Sequence, residues 1–514
     1  MSTSITGKAV EVVQAEESRY QRWQTLLFWS GVILLVIVAI GMRLYQLGLP
    51  FDRDGYDEGV YWSSLRAMSA GYPLYGSIFY SQPPAFLLLT FPAYVLFGGT
   101  LWSARLSIAL ISLVGLPGAF LLGRALSGRI GALAALLLVV VDPLYLAQSQ
   151  TIQAEVSSAA FSLLAGGLAY YWFMYPYGRR GLLLAILTGV PASLSILCKL
   201  LGVTLLVPVV LLLLAHIYRA VTCKERVAYF SLVAGILAFV VTLALFVLPF
   251  IGSLPQLIQG VLTFHNDAGA VFSGTRTNNT TILRPVLFSL LGLTALYGTL
   301  VALLRRDWRV LPLLGWLLVT TYLLWRQAPL FPHHLIALSP PLIGLAVMGI
   351  AAPLDYKRLF SAEGVSRLFT YLSLLAIVLL LVTAVMDARQ DRAYYRNAQA
   401  NGASGFTQLE ERVASDLQKA IRPEQWVITD QQFIAGLAGR NTPPSLVDTS
   451  MVRIETGYVT LQQLEDVASQ PQVHAVLFFS GRFSLPQVAG FHAWVAQHFH
   501  LLHNYGGGRE LWIR

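Results

Sequence analysis

Cysteine is nearly absent: the 514 residues hold two, Cys198 inside an apolar run and Cys223 beside Lys224, which argues against a disulfide framework and a cysteine metal site. Charge is scarce as well. Only 12% of the residues are charged, 56% are hydrophobic and the mean hydropathy is +0.62, so the chain lacks the polar surface that a soluble protein of this length needs. A polytopic membrane protein follows. A net charge of +9 would suggest nucleic acid in a soluble chain. Here the basic residues follow the loops between apolar runs, and no nucleic-acid partner is expected. No internal repeat or low-complexity tract is present, and the first apolar run, from about residue 25, is a full span without a small-residue cleavage motif. It reads as a retained signal anchor.

What is there is a series of eleven apolar runs of spanning length, near 25–47, 102–123, 130–148, 156–175, 181–198, 200–217, 228–251, 284–304, 309–325, 334–352 and 368–387. With residues 1–24 as a cytoplasmic tail, the cytoplasmic loops hold Arg124 and Arg129, Arg179 and Arg180, Arg219, Lys224 and Arg226, Arg305, Arg306 and Arg309, and Lys357, Arg358 and Arg367. Every such loop is short and basic, which sets the expected orientation. Residues 48–101 then form a long outer loop, in which DEGVYWSSLRAMSAG reads as an amphipathic helix and PPAFLLLTFPAYVLFGG as a short apolar helix at the interface. After the membrane domain, 25–394, the polar stretch from residue 395 opens a small α/β domain reaching residue 514. WVITD and HAVLFF read as its strands, TLQQLEDVAS and LPQVAGFHAWVAQHF as its helices, and Gly506 to Gly508 as the turn of a closing hairpin. That domain carries no phosphate-loop or catalytic-triad pattern.

Ionisable residues at the outer ends of the spans are the candidates for chemistry, because a charge near hydrocarbon persists mainly where it lines a polar cavity. They include Asp52, Asp54, Asp57, Glu58, Arg66, Arg105, Asp142, Glu155, Lys199, His265, Arg276, Arg284, His333 and His334. Carboxylates sharing one leaflet with several cations suit a reaction in which a base activates a nucleophile and cations balance an anionic leaving group. Asp52 and Asp54 resemble a metal-binding DxD, but a three-residue pattern is too frequent to assign a metal, and they read as a solvated loop. His333 and His334 diverge by about 100 degrees on a helix and should chelate poorly. Asn278 and Asn279 open N-x-T sequons of little weight here.

DEGVYWSSLRAMSAGYPLY followed by SQPPAFLLLTFPAYVLFGGTLWSARLSIAL resembles the first outer loop of the GT-C membrane glycosyltransferases. The nearest branch in character holds bacterial homologues of the dolichyl-phosphate-mannose protein mannosyltransferases and of the lipid A aminoarabinose transferase. Asp57, Glu58, Tyr61, Arg66, Pro83, Pro84 and Arg105 fit its pattern of Asp-Glu, Tyr and Arg, a Pro-Pro before an apolar helix, and an Arg opening the next span. The resemblance continues more weakly to residue 200, with Glu155 as the second acid, Asp142 as a less well placed competitor, and Lys199 as a basic residue between spans. FPHHLIALSPP resembles the start of a late span, and GRNTPPSLVDTS a stretch of bacterial members without an assigned role. Relatives often carry a Lys before the Pro-Pro; this chain has Gln82, so a phosphate contact would pass to Lys199, Arg276, Arg284 or another outer cation.

The resemblance implies an all-α GT-C membrane domain with a small C-terminal α/β domain, at the cell membrane with the C-terminal domain outside. It implies inverting transfer of a sugar from a polyprenyl-phosphate donor to a hydroxyl of a protein, lipid or glycan, with Asp57 as base, Glu155 and Glu58 as its companions, and no required cofactor or metal. Tyr61, Arg66, Gln82, Arg105, Lys199, His265, Arg276, Arg284, His333 and His334 are the expected substrate contacts. Two other classes stand beside this one. A transporter or flippase would need charges at mid-membrane positions, which these spans nearly lack; an inactive scaffold would bind polyprenyl lipid without turnover.

Overall fold

A computed structural model describes residues 3–51, 56–350 and 364–514. Asp52, Asp54, Lys357 and Arg358 lie outside the described residues. Among those described, seven helical segments are long and apolar enough to cross a membrane, or eight if the pair Ser273–Leu287 and Leu290–Leu304, bent by 73°, counts as one. The expected count of eleven is not reached on this measure, for reasons that hydropathy does not register. The run 102–123 and the run 130–148 as far as Val141 fall within one segment, Leu101–Val141, broken at Ser127 and Gly128, where Gly128 takes φ +69°. The last two runs before residue 352 form shorter helices, Val310–Arg326 and Pro332–Val347, and the second of these carries Pro332, Pro340 and Pro341.

The helix Ala154–Met174 is the hub of the membrane domain, packed between Gly115–Val141 and Gly178–Cys198. Small residues set that approach: a side chain at Gly118 would meet the Leu164 backbone nitrogen at 2.3 Å. The hub helix thereby carries Glu155, in its first turn, to a fixed place at one end of the bundle.

The C-terminal domain holds a four-stranded sheet of β1 (Trp426–Thr429), β2 (Val473–Phe478), β3 (His500–Gly506) and β4 (Arg509–Ile513), in the order β1-β2-β4-β3. β1 and β2 are parallel; the other pairs are antiparallel, with β3 and β4 joined through Gly506, Gly507 and Gly508. Its expected strands are present as β1 and β2 and its expected helices as Leu461–Ala468 and the shorter Gly490–His498, and apolar side chains fill both faces of the sheet. The helix Gln432–Leu437 lies directly on the outer-loop helix Tyr56–Ser69. Gly59 permits this contact, since a side chain there would come within 2.5 Å of the Phe433 nitrogen. The short apolar helix expected after Pro84 spans Ala85–Leu96.

Candidate active site

Asp57 and Glu58 share the first turn of Tyr56–Ser69, and neighbouring side chains on a helix point about 100 degrees apart. Glu58 points into protein. Arg105 grips it with Nε to Oε1 at 2.7 Å and Nη2 to Oε2 at 2.6 Å, and the Ile152 amide donates to Oε1 at 3.0 Å. The third guanidinium nitrogen donates to the carbonyls of Leu47 and Leu49 at 2.7 and 2.6 Å. Both side chains are at most 1% exposed. This lock joins the end of the first span, the outer-loop helix, the Arg105 helix and the turn before Glu155. The chemical role expected of Glu58 and the substrate contact expected of Arg105 do not fit this enclosure, because neither reaches the cavity.

Asp57 points into that cavity, of about 1330 Å³, which is also lined by Tyr61, Gln82, Lys199, His265, Arg276, His333 and His334. Its side chain is 46% exposed. Burial of the surrounding walls raises the Asp57 carboxyl above the ordinary aspartate range, His333 works against this, and the charge of Glu155 adds to it. Glu155 stands beside Asp57 but is 2% exposed, with Oε1 at 2.6 Å from Lys199 Nζ. It borders a side cavity of about 20 Å³ with Ser158, Ser162 and Thr204. His333 Nε2 lies 3.8 Å from Asp57 Oδ2 and 3.7 Å from Glu155 Oε1, so the two acids expected to meet do so across one imidazole. Arg276 is braced by the carbonyls of Arg326 and Gly269, at 3.0 and 3.1 Å.

Some expected contacts fall elsewhere. Arg66 is half-buried outside the cavity and Arg284 is exposed away from it. Asp142 caps the helix Pro143–Ser149 through the Leu144 and Tyr145 amides, a structural duty that removes it as a competitor to Glu155. Asn279 is buried and its amide holds the carbonyls of Trp325 and Gln327 at 2.9 and 2.7 Å, so its sequon is spent on packing.

Glu155, His333 and His334 bring three potential ligand atoms within 4.8 Å of one another, which corrects the expectation that the histidines diverge. His334 does not suit a metal in this arrangement. Its Nδ1 accepts the Phe331 amide at 3.3 Å, so in the neutral ring Nε2 carries the proton and directs it at Glu155 Oε1, 3.6 Å away. Lys199 already supplies Glu155 with a cation.

Sequence reasoning missed the far wall, which the C-terminal domain supplies with Asp448, Ser450, Met451, Val452 and Arg482. Asp448 accepts the Tyr56 hydroxyl at 3.0 Å, and the Arg482 guanidinium lies 3.7 Å from the centre of the Tyr56 ring. Asp448 and Ser450 belong to GRNTPPSLVDTS, the stretch that stood out in the sequence without a role; nothing in the sequence marked Arg482.

Residues 61–265 match the family model described as dolichyl-phosphate-mannose-protein mannosyltransferase. No curated protein matches the chain. Among solved structures, ArnT from Cupriavidus metallidurans in the apo state is similar at 13% identity and a TM-score of 0.58, over 96% of this chain and 98% of that one. The same enzyme bound to undecaprenyl phosphate gives 14% identity and 0.55, over 95% and 97%. The Archaeoglobus fulgidus oligosaccharyltransferase in the apo form gives 16% identity and 0.55, over 91% and 71%. The chain has the fold of the GT-C membrane glycosyltransferases.

Proposed function

We propose that this protein transfers a sugar from a polyprenyl-phosphate-linked donor to an acceptor hydroxyl at the outer face of the cell membrane, with inversion. The acceptor O–H gives its proton to Asp57 as its oxygen bonds to the anomeric carbon. The bond from that carbon to the phosphate oxygen breaks on the opposite side, and the electron pair leaves with the lipid phosphate. That anion is stable, so no general acid and no cofactor is needed; Arg276 and the neighbouring Arg326 balance its charge. Basic short loops put the N-terminus in the cytoplasm and the cavity outside.

One observation carries the reading. Of the three acids expected to act, Asp57 is 46% exposed, whereas Glu58 and Glu155 are 0% and 2% exposed and already held by Arg105 and Lys199. Glu155 accordingly orients its surroundings and Asp57 takes the proton. The ArnT complex with undecaprenyl phosphate supports a polyprenyl carrier, by likeness of fold. Mass spectrometry of envelope lipids and glycans from cells with the wild-type protein, without it, and with Asp57→Asn tests the function. The expected result is one glycosylated species present only with wild type. A species merely moved across the membrane, with no covalent change, would favour a transporter instead.

A further inference from the structure

We propose that His333 is a positioning residue that couples the two acids of the site: in its protonated form, the imidazole set between Asp57 and Glu155 keeps Asp57 ionised and ready to accept a proton. The geometry points to it alone. Among the described residues, His333 is the one basic side chain with a nitrogen within 4.0 Å of the Asp57 carboxylate, at 3.8 Å, and the same Nε2 is 3.7 Å from Glu155 Oε1. Lys199 is committed to Glu155 at 2.6 Å. His334 faces Glu155 with a ring fixed through Nδ1 by the Phe331 amide and the Gln327 side chain.

The imidazole of His333 is held where it is. It stacks on Phe331 with centroids 5.5 Å apart and planes 17° apart, and meets the His334 ring edge-on at 4.4 Å. Its carbonyl accepts the Gln148 side-chain amide at 2.7 Å, and Pro332 fixes the backbone before it. The ring is 23% exposed on the cavity wall.

Around it the charges form a simple circuit. Glu155, from the hub helix, and Lys199, after the helix Gly178–Cys198, compensate each other. What remains facing His333 is Asp57, from Tyr56–Ser69, with His334 beside it and His265 further along the wall. Protonated His333 therefore offsets the cost of keeping Asp57 charged between protein walls, and neutral His333 does not. The place of this coupling in sugar transfer rests on Asp57 being the base; the coupling itself does not.

Dicyclohexylcarbodiimide reacts with protonated carboxyl groups, so the pH dependence of Asp57 labelling, read by peptide mass spectrometry on the full chain in lipid nanodiscs, reports its titration without any donor. In His333→Gln the midpoint should rise by about one pH unit or more, and in His333→Arg it should stay at or below that of wild type. A His333→Gln midpoint equal to wild type overturns the proposal, as does an equal rise in both variants, which would reveal packing instead of charge. Glu58, locked on Arg105, should stay unlabelled in every folded variant. Should His333→Gln label there and prove unfolded, His333→Arg decides: a midpoint above wild type overturns the proposal. Coupling observed in a protein that transfers no sugar would count against the reaction and leave the coupling standing.

Discussion

Asp57 and Glu58 are adjacent, chemically alike and carried by one helical turn, yet the structure gives them opposite surroundings. Glu58 is clamped by Arg105 and a backbone amide with no access to solvent, and Asp57 opens on a large cavity with one imidazole nearby. The lesson is that the partner decides the role. A carboxylate gripped at both oxygens by a guanidinium is a joint in the scaffold; one facing a histidine across 3.8 Å is available to take a proton.

Asp57→Asn should break the comparison on the functional side, lowering turnover about 10²- to 10⁴-fold, as loss of a general base does. Its thermal stability at neutral pH should match or exceed that of wild type. The sign follows from burial: raising the carboxyl's titration point means that folding favours the neutral form, so this contribution stabilises at low pH and is lost as pH rises through the folded-state value. Arg105→Met should break it on the structural side. It leaves Glu58 buried and unpaired, at a cost of about 3–5 kcal/mol visible in thermal unfolding, and Glu58→Met on top of it should recover much of that loss.

A third expectation concerns the pH dependence of transfer. Activity should fall on the acid side above the ordinary aspartate value of about 3.9, because Asp57 must be ionised to act and its titration is raised. Rates measured from pH 4 to 8 by product mass spectrometry check this; a limb at or below the ordinary value would remove burial as the controlling influence. The smallest effect belongs to the far wall. Asp448→Ala frees the Tyr56 hydroxyl and should cost about 1 kcal/mol of stability while weakening apparent acceptor binding more than turnover. An unchanged KM would make the Asp448 contact purely structural.

Much of this was legible beforehand, and the limits have physical causes. The acid-bearing outer loop, the pairing in space of Asp57 with Glu155, the nearby Lys199 and the C-terminal α/β elements all follow from patterns that act over short distances or from the resemblance. The fate of Glu58 did not follow, since its partner Arg105 lies 47 residues away and a sequence does not say which of two neighbouring acids will meet it. The count of eleven differs from the seven or eight long apolar segments where two runs share the one segment Leu101–Val141 across the break at Gly128, and where Val310–Arg326 and Pro332–Val347 form shorter helices. The convergence of His333 and His334 was missed because the reach of two imidazoles outweighs the divergence of their Cα–Cβ bonds. Asp448 and Arg482 enter the cavity from a separate domain, a tertiary fact no local motif encodes.

The most direct test of the central claim is a single-turnover measurement with purified protein in nanodiscs, undecaprenyl-phosphate-linked sugars as donors and an envelope extract as acceptor source, following free undecaprenyl phosphate as it appears. Wild type should release it in step with a glycosylated product and Asp57→Asn should release almost none. Equal release by both proteins would contradict the account.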